Sequence, residues 1–286
     1  PLKLWYNQPA KIWEEALPIG NGRLGAMVFG QPGREQLQLN EETIWAGEPG
    51  NNIPQGFREI LPEVRALLFA GKYREAQDLA TTKIPRKPPE GGNHGMPYQT
   101  AGNLYLDFPG HDSFSNYYRE LDIQNAVTTV RYSAGGVQFR REIFASFPDQ
   151  VILIRLTADR PGQISCELKL DCPYPDAQML VQNGRLTVSA STSDHEGKQG
   201  KIQFQTLVQP KLSGGRLETA GNSLRISQAD EALIYISIGT NFNNYKDLSG
   251  NAGARAAAYL KQAFSKKFTT AKQTHTDAYR RYFDRV

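Results

Sequence analysis

At 286 residues, with 39% hydrophobic and 22% charged residues, the chain has the makeup of a globular protein long enough to bury a substantial core. Its net charge is +4, from 33 Lys and Arg against 29 Asp and Glu. The basic residues are spread along the chain, which argues against a nucleic-acid partner, and no apolar run reaches the roughly 20 residues of a membrane-spanning helix.

The chain begins at Pro1-Leu2-Lys3 with neither Met nor a signal peptide, so the expectation is a processed or cut boundary. Leu2 to Ala10 reads as a short strand, with Trp5 and Trp13 on either side of Pro9. Glu14 and Glu15 follow. Neighbours on an extended chain point to opposite faces, so they are not a natural acid–base pair.

The densest pattern runs from Ala16 to Trp45. Gly20-Asn21-Gly22 precedes the apolar run Leu24 to Phe29, a second turn spans Gly30 to Gly33, and Leu37 and Leu39 alternate before Asn40-Glu41-Glu42-Thr43-Ile44-Trp45. Asn and Gly accept the positive φ of a tight turn, which predicts a β-hairpin with polar residues at one end.

Residues 55–84 change period. Phe57, Ile60, Leu61, Val64, Leu67 and Leu68 recur at helical spacing, which predicts a helical insertion. Pro62 either interrupts it or sits in its first turn, and Gly71 marks a stop. Residues 85–98 are rich in Pro, Gly and polar groups, which predicts a loop carrying His94.

From 99 to 240 short strands alternate with turns. Leu104, Leu106 and Phe108 alternate, as do Val127, Thr129 and Arg131, and Val151 to Leu156 is an apolar β-branched run. Turns fall at Ser133 to Gly136, Asn183-Gly184, Gly214-Gly215 and Gly221-Asn222. This spacing predicts a mainly β fold, a large antiparallel two-sheet sandwich with the helical insertion and a helical C-terminal tail. Cys166 and Cys172, placed in one strand, would lie about 20 Å apart, beyond disulfide reach, so both are expected to be free thiols buried as small hydrophobes.

After residue 252 the pattern is helical. Ala256, Tyr259, Leu260, Ala263 and Phe264 mark one face, and His275, Tyr279, Tyr282, Phe283 and Val286 another. An aromatic face of that size calls for a partner, which leads to the expectation that the chain is cut at the start of a helical region.

Chemistry on a glycosidic bond needs two carboxyl groups roughly 5–9.5 Å apart. Glu41-Glu42, beside Asn40 and Trp45, is the most suggestive pair. The plainer reading is a strand end whose carboxylates pair with Arg23 or Arg34, with Trp45 in the core. His94 is a lone histidine in its loop, and Asp194-His195-Glu196 reads as an exposed turn before Gly197, not a metal cluster. No Gly-Lys-Ser/Thr follows Gly20-Asn21-Gly22, and no Gly-x-Ser-x-Gly occurs. No cofactor is implied, and no catalytic or metal-binding constellation is complete within the chain.

ALPIGNGRLGAMVFG (Ala16 to Gly30) and LQLNEETIWAGEP (Leu37 to Pro49) resemble the amino-terminal region of family-95 glycoside hydrolases, the inverting α-L-fucosidases. The likeness continues through YQTAGNLYLDF (Tyr98 to Phe108), YYRELDIQNAV (Tyr117 to Val127), GVQFRREIFASFPDQVILIRL (Gly136 to Leu156) and GTNFNNYKD (Gly239 to Asp247). YQTAGNL departs from the Leu-Gly-Asp-Leu version of the family at Ala101 and Asn103. The resemblance implies a β super-sandwich over residues 1–252 and, from 253 to 286, the start of a linker to an α/α barrel in the same polypeptide, where the catalytic carboxylates reside. It implies a fucosylated glycan (or an α-L-galactoside) as substrate of the parent enzyme, and a periplasmic or secreted location. It implies no catalytic residue here. Asn40, Glu41, Glu42, Trp45, His94 and Gln99 are the candidates for touching sugar or barrel. The other readings are a carbohydrate-binding module, favoured if Trp5, Trp13 or Trp45 are exposed in a planar row and opposed if the rings are buried; a docking domain without a ligand; and, since related barrel enzymes with similar sandwiches include phosphorylases, a phosphorolytic parent.

Overall fold

The computed structural model describes residues 2–48, 56–83 and 96–285. His94 and Pro49 lie outside the described residues. The chain opens with strand β1 (Lys3–Tyr6), a short 3-10 turn at Trp13–Glu15, and the meander β2 (Leu17–Gly20), β3 (Leu24–Val28) and β4 (Arg34–Glu41). Helices α1 (Phe57–Phe69) and α2 (Tyr73–Lys83) follow, then β5 (Gly102–Asp107), β6 (Ser115–Asp122), β7 (Val127–Ala134), β8 (Val137–Ser146), β9 (Val151–Ala158) and β10 (Ile164–Asp171). The remaining strands are β11 (Gln178–Gln182), β12 (Arg185–Ser191), β13 (Gln203–Ser213), β14 (Arg216–Ala220), β15 (Ser223–Ala229) and β16 (Glu231–Thr240), and the helices α3 (Ala252–Phe264) and α4 (Phe268–Phe283) close the chain.

The strands form two antiparallel sheets. One has nine strands in the order β1-β6-β7-β8-β9-β16-β13-β12-β11, the other seven in the order β14-β15-β10-β5-β4-β3-β2. The fold is therefore mainly β, a two-sheet sandwich with a helical insertion and a helical tail. Alternation explains the layering. In β4, Glu35, Leu37, Leu39 and Glu41 are buried while Gln36, Gln38 and Asn40 sit on the other face, because side chains on a strand alternate with period two. The inward sets of both sheets, such as Leu37, Leu104, Leu168, Ile143 and Ile154, form one apolar core.

The expected hairpin is the β2–β3 pair. Gly22 takes the positive φ, at 91°, and Asn21 has a different task. Its Oδ1 accepts from the backbone N–H of Leu24 at 2.7 Å and its Nδ2 donates to the Ser146 carbonyl at 2.9 Å. The turn is thus pinned to the opposite sheet.

A second apolar cluster lies on the outer face of the nine-stranded sheet, under α3 and α4. Asn251 caps α3 by accepting from the Ala254 N–H at 2.8 Å, as an N-cap side chain does. The helix seats closely because β16 carries Gly239, where an added Cβ would come within 2.4 Å of the Ala252 carbonyl oxygen. On α4, His275 stacks on Phe144 with ring centroids 4.7 Å apart, and the Tyr279 hydroxyl donates to the Ile123 carbonyl at 2.8 Å. The expectation that this aromatic face lacks a partner is therefore corrected for His275 and Tyr279, since the chain's own sheet covers them; Tyr282 stays exposed.

Two further expectations change. Helix α1 runs through Pro62, whose ring lies at the exposed surface. Cys172 lies just past the end of β10 and is only half-buried, whereas Cys166 points into the core; both are free thiols. Burial pushes the Cys166 thiol up to about 12. Among the described residues no helix is long and apolar enough to cross a membrane.

Candidate functional site

The polar end of β4 divides between two environments. Glu41 ends the strand on its inward face and is 2% exposed. One carboxylate oxygen lies 3.4 Å from the Arg23 guanidinium. The other accepts from the Thr43 backbone N–H at 2.8 Å and the Thr43 hydroxyl at 2.7 Å. That hydroxyl also meets the Thr240 hydroxyl at 2.7 Å, so Glu41 joins the β4 turn to the end of β16. Arg23 extends the tie, donating to the Ile238 carbonyl at 2.7 Å and to Gln150 Oε1 at 2.7 Å. A carboxylate held by three donors in the interior is a scaffold group. The pairing of Glu41 with Arg23 agrees with the plainer reading of this strand end, whereas Arg34 pairs with Asp107 at 3.4 Å.

Glu42 is exposed, its backbone N–H bonded to the Arg23 carbonyl at 2.9 Å. It does not converge with Glu41, because the turn sends consecutive residues to different sides. Asn40 points to the outer face of the seven-stranded sheet, apart from both.

Trp45 is 47% exposed, which corrects its placement in the core. Its indole N–H donates to the Glu42 carbonyl at 2.9 Å. Its ring packs edge-on against Tyr98 at 5.3 Å, across an isolated antiparallel bridge between the two residues. The Tyr98 hydroxyl donates to the Glu41 carbonyl at 3.0 Å. Burial, with the nearby Glu41 charge, pushes this phenol up to about 12, so it remains a donor at neutral pH. Gln99 is engaged in structure: its backbone N–H meets the Ile44 carbonyl at 2.9 Å and its Oε1 accepts from the Ser193 N–H at 3.0 Å.

Beside Trp45 opens a cleft of about 530 Å3. Its apolar wall is Trp45, Met96, Ile202, Phe242, Tyr245 and Leu248, and its polar rim includes Glu42, Glu48 and Lys201. Glu48 and Lys201 form an ion pair, and that hydrogen bond holds the Glu48 carboxyl below its ordinary range. Gly47 lets the chain pass Met96, since a Cβ there would lie 2.5 Å from its sulfur. The buried Asn241 positions the far wall. Its Oδ1 accepts from the Gln203 N–H at 2.9 Å and its Nδ2 donates to the Lys201 carbonyl at 3.0 Å, while its own carbonyl accepts from the Gly250 N–H at 3.0 Å.

The structure thus gathers Glu42 and Trp45 at one cleft, keeps Glu41 and Gln99 behind it as scaffold, and sets Asn40 aside. Periodicity missed Met96, Lys201, Phe242 and Tyr245. The only signal available for the last two was the block GTNFNNYKD. Chemically, an apolar wall with a polar rim fits a sugar ring or a protein loop. Among the described residues no group of three or more His, Cys, Asp or Glu side chains could hold a metal. Asp194-His195-Glu196 forms a tight turn closed by the His195–Lys198 bridge.

Residues 4–245 match the family described as glycosyl hydrolase family 65, N-terminal domain. The chain is 33% identical to "Alpha-L-fucosidase 2" of Arabidopsis thaliana over 99% of its own length and 35% of that protein. It is 28% identical to "Probable alpha-fucosidase A" of Aspergillus oryzae over 90% of this chain and 35% of that one. It thus spans about a third of the length of these curated relatives. Among solved structures, the "Putative kojibiose phosphorylase from human microbiome" superposes with a TM-score of 0.55 at 10% identity, covering 98% of this chain and 38% of that one. That likeness is one of fold.

Proposed function

The chain belongs to the glycosyl hydrolase family 65 N-terminal domain family, and from that premise we propose that it is the non-catalytic sandwich of an exo-glycosidase releasing α-L-fucose (or α-L-galactose). The observation that carries this reading is the similarity, along nearly the whole chain, to a protein named as an α-L-fucosidase. The family-95 motif blocks point the same way, and with them an inverting mechanism in which one carboxyl acts as acid and another group activates water. The cleft walled by Trp45 and Tyr245 is the surface this reading assigns to the downstream α/α barrel and its sugar. Glu41, locked by Arg23 and Thr43, supports that wall and takes no part as acid or base. The same reading places the parent enzyme in the periplasm or outside the cell.

A second reading is a carbohydrate-binding role, which exposed tryptophans in a planar row would favour. Trp5, Trp13 and Trp45 are 57%, 53% and 47% exposed. They occupy different elements, however, and Trp13 donates to Gln38 at 2.7 Å.

The test is hydrolysis of an aryl α-L-fucoside by the 286-residue chain alone and by the same chain joined to the catalytic region of its parent. Turnover only in the joined protein is expected. Turnover by the chain alone above a mock preparation overturns the assignment of catalysis to a downstream domain. A joined protein that cleaves neither an α-L-fucoside nor an α-L-galactoside overturns the substrate.

A further inference from the structure

The outward face of the nine-stranded sheet carries an arrangement that the cleft at Trp45 does not explain. Register places Tyr118 of β6 opposite Arg131 of β7, Arg131 opposite Arg140 of β8, and Arg140 opposite Thr157 of β9. Arg131 and Arg140 both point outward and are exposed, while their neighbours Tyr132 and Phe139 point into the core. Like charges directly opposite each other on adjacent strands destabilise a sheet, so this face places two cationic residues on neighbouring strands at the expense of strand pairing.

Carboxylates border the row on one side: Glu142 on β8, and Glu120 on β6, which the Tyr118 hydroxyl meets at 2.6 Å and Lys3 at 3.1 Å. Glu142 receives Arg140 at 3.0 Å, Lys272 at 2.6 Å and, at 3.6 Å, Arg155, which has its own partner in Glu231 at 2.6 Å; Arg140 thus shares its carboxylate chiefly with Lys272. The Arg131 guanidinium lies over the Tyr118 ring, 4.9 Å from its centroid, and forms no salt bridge among the described residues. The groove above this row, about 500 Å3, has one carboxylate in its lining, Asp159, which already accepts from the Gln138 backbone N–H at 3.1 Å. Amide and hydroxyl groups of Asn116, Ser133 and Thr157 complete the lining.

An aromatic platform adjoins it. Trp5 stacks on Tyr118 with centroids 6.2 Å apart and planes at 19°, leaving its ring more than half exposed. The β6 register shifts between Ser115 and Tyr118, and Asn116 takes a φ of 52°. Bulges of this kind re-aim side chains beside functional surfaces.

We propose that this groove binds a saccharide bearing a carboxylate, that is, a uronic acid unit within a glycan. The planar guanidiniums of Arg131 and Arg140 match a carboxylate in a forked geometry. The Trp5 ring receives the apolar face of a sugar ring, and the amides and hydroxyls meet ring hydroxyls. A cavity of this size suits a small number of sugar units. The proposal does not rest on the α-L-fucoside reading and stands or falls separately from it.

The experiment is calorimetric titration of the 286-residue chain with tetragalacturonate, with its methyl ester, and with neutral tetragalactose. Binding of the free acid is expected, with the ester and the neutral sugar weaker by about tenfold or more, the worth of a charge-assisted contact. Arg131→Gln, at an exposed position, is expected to weaken binding by a similar factor without shifting the unfolding midpoint. Trp5→Ala is expected to weaken binding of the tetragalacturonate as well. Arg216→Gln, on the edge of the other sheet, serves as the unchanged control. No binding of the acid at millimolar concentration, equal binding of acid and ester, or equal binding by Arg131→Gln overturns the proposal.

Discussion

Inside the sandwich, the Arg141 guanidinium lies 2.9 Å from the Glu35 carboxylate, and the two side chains are 2% and 1% exposed. The pair spans the two sheets, since Glu35 is on β4 and Arg141 on β8. Arg141 also donates to the Tyr132 hydroxyl at 2.8 Å and to the carbonyls of Gln31 at 2.7 Å and Pro32 at 2.6 Å, with Phe108 beneath it at 4.2 Å. Glu35 accepts from the Gly30 N–H at 2.6 Å. Arg141→Met removes the cation and strands a buried carboxylate, so a loss of about 3–5 kcal/mol is expected in urea unfolding. Glu35→Gln keeps an acceptor for Gly30 and is expected to lose less. An Arg141→Met loss below about 1 kcal/mol would show that the pair does not tie the sheets together.

At the β4 turn, adjacent carboxylates are predicted to behave differently. Glu41→Gln weakens the contacts to Arg23 and Thr43 and is expected to cost about 1–3 kcal/mol. Glu42→Gln, at an exposed position, is expected to stay within about 0.5 kcal/mol. Chemical denaturation of the two variants side by side checks this, and equal effects would contradict the division between scaffold and rim.

Gly239 is the point of closest approach between β16 and α3. In Gly239→Ala the new methyl meets the Ala252 carbonyl and the Ala256 N–H, 2.4 and 2.7 Å from the Cβ position. Overpacking of this order is expected to cost about 1–3 kcal/mol. Hydrogen exchange is the readout: protection in residues 252–264 should fall before protection in the inter-sheet core does. A uniform loss across both would contradict a local displacement of the helix.

Stability should fall on mild acidification. His111 donates to or accepts from the Tyr132 hydroxyl at 2.8 Å; burial, with the Arg141 charge beside it, lowers its pKa to about 4. The unfolded chain takes up this proton near pH 6.5 and the folded chain near pH 4. Between those values the unfolded state holds more protons, so stability decreases as pH falls and levels off below about 4. His275 is shifted in the same direction by burial and adds to the slope. Unfolding midpoints between pH 7 and 4.5 should follow this course, with a shallower slope in His111→Gln. An unchanged slope in that variant would remove His111 from the account.

Strand identity was legible because alternation is local. Leu104, Leu106 and Phe108 repeat every second residue, and one face of each strand is buried. Turn chemistry was equally local, as at Gly135 and Gly136, which both take positive φ. The Glu41–Arg23 pair was within reach for the same reason, since β3 and β4 are consecutive strands of one meander. Trp45 was misread in the plainer account because a tryptophan beside a strand says nothing about which side of the turn it leaves.

Without coordinates, then, the residues determined a mainly β sandwich, a helical insertion and tail, and a resemblance to glycoside hydrolase N-terminal domains. All of these depend on short-range periodicity or contiguous blocks. Only the tertiary structure decided that β1 pairs with β6 and β9 with β16, that Glu41 faces inward while Trp45 does not, and that Met96, Lys201 and Tyr245 meet beside Trp45. It also decided that Arg131 and Arg140 stand side by side on an open face. Those juxtapositions follow from strand register and from the packing of one sheet on another, which join residues far apart in the chain and leave no periodic trace along it.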